Sequence, residues 1–428
     1  MDAQAVKMPI PGRDNIPATS FWVKKANALL EASWRKGWLA YPVLDPAQLM
    51  ATATRTTGLS DFGEENGWRE RLTLLCEALL GEAELSALGN TVAYGQLLAA
   101  LANRLRAAEL WRRQPDIEKI EMRAPVIIVG QMRSGSTRMQ RMLGCDDRLT
   151  CTRFFESWNP VPRWSQAGID DRAVRAWIAL YVARRLNPGF DVVHPTSARS
   201  VDEEIGIQNI ALFGAAFEAQ WRIPSFARAG EVSETIPVYL EFCRFLQTIR
   251  WLRGRPCNKP WVLKLPQFGQ DLSSVLSVFP DARLIVLDRD PVSVVGSSSS
   301  LVHNQMIVQS HAVDRQWIGK EWLAKTLLRD RRIQEGLARH APAHVHVHYD
   351  AMQEDWRGEM RRVYSCLGLP FTTDLEQRMR SSHRRPTPKG RGDHLYTIDQ
   401  YGLSEVQVRR AFASASGQSD EPPSAAAA

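Results

Sequence analysis

Glycine, hydroxyl and guanidinium groups crowd one short segment, Gly130-Gln131-Met132-Arg133-Ser134-Gly135-Ser136-Thr137. It follows the apolar run APVIIVG, which starts at Ala124, and precedes the helix formers Arg138 to Leu143. Strand, glycine-rich turn and helix in that order present backbone N–H groups to phosphate oxygens. The Gly130-x4-Gly135 spacing and Thr137 match a P-loop, but Ser136 stands where an NTPase carries lysine. That lysine serves the β- and γ-phosphates. With Arg133 inside the loop instead, the pattern favours a nucleotide whose reactive group is attached at the 5′-phosphate over ATP.

Three further basic sites accompany the loop. Arg289 follows the apolar run ARLIVL, and Ser293, Ser297 and Ser300 recur on one face of the helix predicted after Pro291. Arginine with serine hydroxyls at the carboxyl end of a strand makes a second phosphate site. Lys264 sits inside WVLKL, where a cation needs an anionic partner or an exit to water. Lys389-Gly390-Arg391-Gly392 reads as a basic loop that closes over an anion.

Elements of two kinds position these residues. The first 123 residues read as helical, with apolar spacing over Phe21 to Leu39 and Thr91 to Trp111. Trp22, Trp34, Trp38, Trp68 and Trp111 in that part read as packing anchors. From Ala124 the texture changes to short β-branched runs without alternation, as in parallel strands buried on both faces. APVIIVG, WVLKL and ARLIVL are such strands and AHVHVHY is a fourth, with helices predicted over Asp170 to Leu186, Ser200 to Gln220 and Gln270 to Phe279. The expected fold is a three-layer, P-loop-like α/β fold with a mostly parallel central sheet, plus an N-terminal helical region. The expected divisions are 1–123 helical, 124–415 nucleotide-binding α/β, and 416–428 a disordered tail.

Composition narrows the class. The 428 residues carry 54 Lys+Arg against 47 Asp+Glu, a net charge of +7, with 44% hydrophobic residues. That excludes a disordered or low-complexity chain. The basic residues form no block of the kind that grips nucleic acid, so no nucleic-acid partner is expected. Six cysteines without a CxxC pair argue against a disulfide scaffold or a structural zinc site. Neither a secretory h-region nor a transmembrane span is expected, which makes cytoplasmic residence the expectation.

As a set, RSGST (Arg133 to Thr137), RDPVSVVGSSSSL (Arg289 to Leu301), KLP (Lys264 to Pro266) and KGRGDHLY (Lys389 to Tyr396) resemble the sulfotransferases that use 3′-phosphoadenosine 5′-phosphosulfate, PAPS. The likeness is to the bacterial branch and, more distantly, to tyrosylprotein sulfotransferases, over Ala124 to Leu403. It implies that Arg133, Ser134, Gly135, Ser136 and Thr137 hold the 5′-phosphate and sulfonate. It implies that Arg289 and Ser297 hold the 3′-phosphate, with Lys389 and Arg391 near it, and that Lys264 approaches the transferring group. Glu156, in Phe155-Glu156-Ser157, matches the spacing of a catalytic glutamate. Many relatives place a histidine shortly after Lys-x-Pro, where this chain has Gln267, Phe268 and Gly269.

The implied reaction moves a sulfonate from PAPS, as co-substrate, to a hydroxyl of a small-molecule or lipid acceptor, with Glu156 as general base and no metal required. His194 is the rival base. Glu203 and Glu204 are explained by a helix start, where acids suit the dipole. His344, His346 and His348 share one strand face and read as a polar edge rather than a metal site. A P-loop kinase or NTPase with Asp288 on magnesium, and a non-catalytic nucleotide-binding protein, stay open, as does a homo-oligomer.

Overall fold

The computed structural model describes residues 20–163, 170–187, 189–254, 258–383 and 397–415. Their sheet has five parallel strands: β1 (Val126–Gly130), β2 (Thr150–Cys151), β3 (Trp261–Lys264), β4 (Arg283–Asp288) and β5 (His344–His348). Their order is β2-β3-β1-β4-β5. All five residues of β1 are buried, as an uninterrupted apolar run requires when both faces are covered. Alternation still sorts them. Ile127 and Val129 join Leu284 and Val286 on one face, against the helices Ile236–Leu252, Leu272–Val278 and Arg315–His340. Val126 and Ile128 join Ile285 and Leu287 on the other, against Ser136–Leu143 and Trp356–Cys366. This is the expected three-layer, P-loop-like α/β architecture.

The N-terminal helices build their own apolar cluster. Leu49, Trp68, Leu72, Leu97 and Leu101 pack with Phe217, Trp221 and Phe226 from the middle of the chain. The 27-residue helix Ala87–Arg113 then reaches the sheet layer, where Leu110 and Trp111 enter the main core. A buried Arg104–Glu241 ion pair at 2.5 Å ties this helix to Ile236–Leu252. Not every tryptophan is an anchor: Trp68 is buried, whereas Trp22 and Trp38 are 50% and 68% exposed.

Two expectations need correction. The stretch Ser200 to Gln220 is two short helices, Ile205–Ile210 and Ala215–Gln220, instead of one long one. Leu212 and Gly214 between them have φ of +54° and +104°, which a continuing helix does not permit. Strand β2 was not anticipated, since two residues carry too little pattern to be read without their partner Trp261.

Phe268, in the turn Pro266–Gly269, is fully buried with its ring 5.8 Å from Phe242 and 6.0 Å from Tyr239. Phe268→Ala is expected to cost about 3–5 kcal/mol of unfolding free energy, measured by urea titration. A loss below about 1 kcal/mol would mean that this turn is not part of the main core.

Candidate active site

The loop after β1 is shaped by three positive φ values: Gly130 (+151°), Arg133 (+68°) and Gly135 (+91°). A Cβ on Gly130 would stand 2.8 Å from the Leu287 carbonyl oxygen of β4, so glycine is required there. Gly135 lies under the Tyr349 ring, and a Cβ would meet it at 3.2 Å. Gln131 anchors the loop by donating to the Thr326 carbonyl at 3.0 Å. Ser134 Oγ donates to the Gln131 carbonyl at 2.7 Å. The helix Ser136–Leu143 starts at Gly135 with no side-chain cap, leaving its first N–H groups without a built-in acceptor.

The two sequence motifs interlock. Arg133 Nε donates to Ser297 Oγ at 3.0 Å, and Arg289 Nη1 donates to the Arg133 carbonyl at 2.5 Å. The Arg289 guanidinium also lies 4.0 Å over the Tyr349 ring. Thus Arg133, Ser134, Gly135, Ser136, Thr137, Arg289 and Ser297 form one continuous region. Arg138 belongs to it too: burial pulls its guanidinium below the ordinary value, and its buried Nε has no hydrogen-bond partner. An orphaned guanidinium N–H beside an uncapped helix start fits an anionic ligand. By contrast, the helix Pro291–Gln309 is capped by Asp290, which accepts from Ser293 N at 2.9 Å.

Lys264 closes β3 beside this loop, level with Ile128 of β1. It is 5% exposed and its Nζ pairs with Glu203. Its backbone N–H donates to Glu204 Oε2 at 2.8 Å. Glu204 is fully enclosed, and burial pushes its carboxyl up to about 8. Neighbouring Asp202 accepts from His194 Nε2 at 3.1 Å and from Thr196 Oγ1. Burial would raise Asp202, but His194, Thr196 and Lys264 outweigh it and hold the carboxyl at about 2. For His194 burial likewise opposes charge, yet Asp202 and then Glu203 raise it above its usual value. The potential ligand atoms of His194, Asp202 and Glu203 lie within 4.8 Å of one another, but the Lys264 ammonium on Glu203 puts positive charge where a cation would sit.

Glu156 is not in this cluster. Its Oε1 accepts from Arg253 Nε at 2.9 Å, and its Oε2 from Arg253 Nη2 at 2.6 Å and its own N-cap residue's N–H (Arg153) at 2.9 Å. Arg253 also binds Thr150 Oγ1 and the Cys151 carbonyl and covers the Trp261 ring, at the amino end of β2 and β3. A carboxylate so occupied, at the opposite end of the strands from the loop, is a structural ion-pair partner. Lys389 and Arg391 lie outside the described residues. Asp288, the magnesium ligand of the NTPase alternative, accepts from His346 Nδ1 at 2.8 Å. Sequence reading gave Glu203 and Glu204 a helix-start role and passed over Asp202, Arg138 and Tyr349. The acidic run Asp202-Glu203-Glu204 was visible, but not its partner across the sheet.

With β2 and β3 to one side of β1 and β4 and β5 to the other, the loop stands at the switch point of a P-loop-like nucleotide-binding fold. Within that class the match is specific: the sulfotransferase family model covers residues 125–373, and the chain belongs to this family. It is 25% identical over 261 residues to omega-hydroxy-beta-dihydromenaquinone-9 sulfotransferase Stf3 of Mycobacterium bovis and, equally, of Mycobacterium tuberculosis. The alignment covers 57% of this chain and 63% of those relatives, so it spans less than two thirds of their length. The crystal structure of sulfotransferase STF1 from Mycobacterium tuberculosis superposes with a TM-score of 0.76 at 25% identity, over 87% of this chain and 100% of that one. Sulfotransferase STF9 from Mycobacterium avium shares the fold, with a TM-score of 0.74 at 24% identity over 87% and 96% of the two chains.

Two outcomes test this geometry. Glu156→Gln removes the charge that Arg253 grips and is expected to cost about 1–3 kcal/mol in urea unfolding. An unchanged midpoint would contradict the ion-pair role. The Glu204 proton is retained in the fold up to about pH 8, whereas the unfolded chain releases it near 4.5. Stability is therefore expected to fall as pH rises through that window. Glu204→Gln should flatten part of this slope in thermal unfolding between pH 5 and about 8.

Proposed function

We propose that the chain transfers a sulfonate from PAPS to the hydroxyl of a lipid-like acceptor, with Glu203 as the general base. The observation that carries the reading is the Lys264–Glu203 pair beside the loop that Arg133, Ser297 and Arg289 lock together. The acceptor class follows the menaquinone-modifying activity of those relatives.

The donor's 5′-phosphosulfate would lie on the N–H groups of Ser136 to Arg138, with the Arg138 guanidinium supplying the charge-assisted donor it now lacks a use for. Arg289 and Ser297 would take the 3′-phosphate. The acceptor oxygen attacks sulfur in line, the bond from sulfur to the bridging 5′-phosphate oxygen breaks, and adenosine 3′,5′-bisphosphate leaves. Negative charge grows on that bridging oxygen, which Arg133, Lys264 and the loop N–H groups stabilise. As Lys264 turns from Glu203 to the sulfonate, it frees the carboxylate to take the acceptor's proton. No step is routed through a metal ion.

A second reading makes His194 the base, because Asp202 orients its ring as a base is oriented in a catalytic triad. The two readings separate by pH. A histidine base predicts that kcat/KM rises through an apparent pKa above 6.5 and that Asp202→Asn lowers this inflection.

The test is transfer of labelled sulfonate from PAPS to a panel of hydroxylated prenyl lipids in EDTA. Glu203→Gln is expected to lower kcat roughly 10²–10⁴-fold with unchanged binding of adenosine 3′,5′-bisphosphate. Arg289→Ala should instead weaken that binding. A strict requirement for ATP and magnesium would overturn the donor assignment, and full turnover by Glu203→Gln would overturn the base.

A further inference from the structure

The helix Arg172–Leu186 is turned inside out. Arg172, Ala176 and Leu180 are its buried residues, whereas Val174, Trp177, Ile178, Tyr181 and Val182 face outward. Trp177 is 60% exposed and Val174 59%. These positions follow the i, i+3, i+4, i+7, i+8 spacing of an apolar stripe that normally faces a core. The helix sequence RAVRAWIALYVARRL contains no acidic residue. Arg185 lies over the Tyr181 ring at 5.2 Å, and Trp177 stacks on Tyr181 at 5.8 Å.

A second helix continues the surface. Ser20, the N-cap of Phe21–Arg35, donates from Oγ to the Leu186 carbonyl at 2.9 Å. This brings Phe21 and Trp22, 69% and 50% exposed, beside the end of the outward stripe. Leu29 is exposed further along, and Lys25 sits over the Trp22 ring at 5.7 Å. Aromatic rings with lysine and arginine folded over them, around exposed aliphatic side chains, are the composition of a surface that rests in a bilayer interface. Arg172, Arg175 and Arg184 are paired with Asp170, Asp171 and Asp191, and the exposed Lys24, Lys25 and Arg185 are the cations that complement anionic headgroups.

The surface also adjoins the site. Ala176 and Leu180 pack in a cluster that includes Phe190, whose ring lies 6.2 Å from that of His194. Arg184 holds Asp191 at 2.9 Å, and the chain reaches His194 from there. No helix among the described residues is long and apolar enough to cross a membrane.

We propose that the outward faces of Arg172–Leu186 and Phe21–Arg35 dock the protein on an anionic lipid bilayer, so that the acceptor enters the site from the membrane. The acceptor clause rests on the lipid acceptor proposed above; the docking itself does not. The test is flotation of the full chain with vesicles of phosphatidylcholine alone or equimolar with phosphatidylglycerol, without donor or acceptor. Binding to the anionic vesicles is expected, with about tenfold weaker binding after Trp177→Ser with Tyr181→Ser. Lys25→Glu with Arg185→Glu should weaken binding to the anionic vesicles and reduce its salt dependence. Circular dichroism and adenosine 3′,5′-bisphosphate binding should be unchanged in both variants. Failure of the wild-type chain to float, or full flotation of the Trp177/Tyr181 variant, would overturn the proposal. So would a dimer in sedimentation velocity that the Trp177/Tyr181 variant dissociates without loss of flotation, since a second copy then covers the face. Flotation without sulfonate transfer in any lipid would retain the docking surface and reject the function.

Discussion

A lysine at the end of a strand buried on both faces must be given a counter-charge, and much of the site follows from how this chain supplies one. Lys264 cannot reach bulk water without leaving the sheet, so an uncompensated ammonium there would cost several kcal/mol. Glu203 provides the charge and Glu204 accepts the strand's own N–H, which pins the segment Val201 to Ile205 against β3. That segment in turn places Asp202, which orders His194 and Thr196. In the proposed reaction the same pair would have a resting and a working arrangement. An ammonium held by a carboxylate would be a cation kept desolvated for a more negative partner, and the carboxylate it left would be a base.

The loop side is organised by backbone instead. Gly130 sits so close to β4 that the turn has to begin there, and Gly135 has to pass beneath Tyr349. Arg133 then lies between the loop and Ser297, while Arg289 supports the loop from its carbonyl side. Two cations that would repel across an open cleft are each held by neutral hydrogen-bond partners. They are therefore held in position before any ligand arrives, and an anion bound there, as proposed, would cost little further side-chain entropy.

This division explains what the sequence revealed. The loop and its basic neighbours lie in short motifs next to strands, and buried parallel strands read directly as unbroken apolar runs, so Arg133 to Thr137, Lys264, Arg289 and Ser297 could be named together. The acidic partner of Lys264 lies 61 residues away in sequence, and no local pattern connects them. Glu156 shows the same limit. Its spacing after the loop helix suited a base, but spacing cannot report that Arg253, 97 residues on, already occupies both oxygens. Likewise, Ser200 to Gln220 carried a helical pattern that only the tertiary fold breaks, at Leu212 and Gly214.

Direction is the property that apolar periodicity leaves undefined. The stretch Asp170 to Leu186 was readable as a helix, but its pattern cannot say which face turns inward. The stripe with the greater apolar area would ordinarily win the core. Here Arg172 prevents that: its guanidinium is tied to Asp170 at 2.7 Å and to the Pro160 carbonyl at 3.1 Å, and it lies over the Phe155 ring. With Arg172 fixed inward, Ala176 and Leu180 follow it at i+4 and i+8, and Trp177, Ile178 and Tyr181 are left outside. One buried arginine thus sets the rotation of the whole helix, and in doing so turns a large apolar surface outward where a closed core would have hidden it.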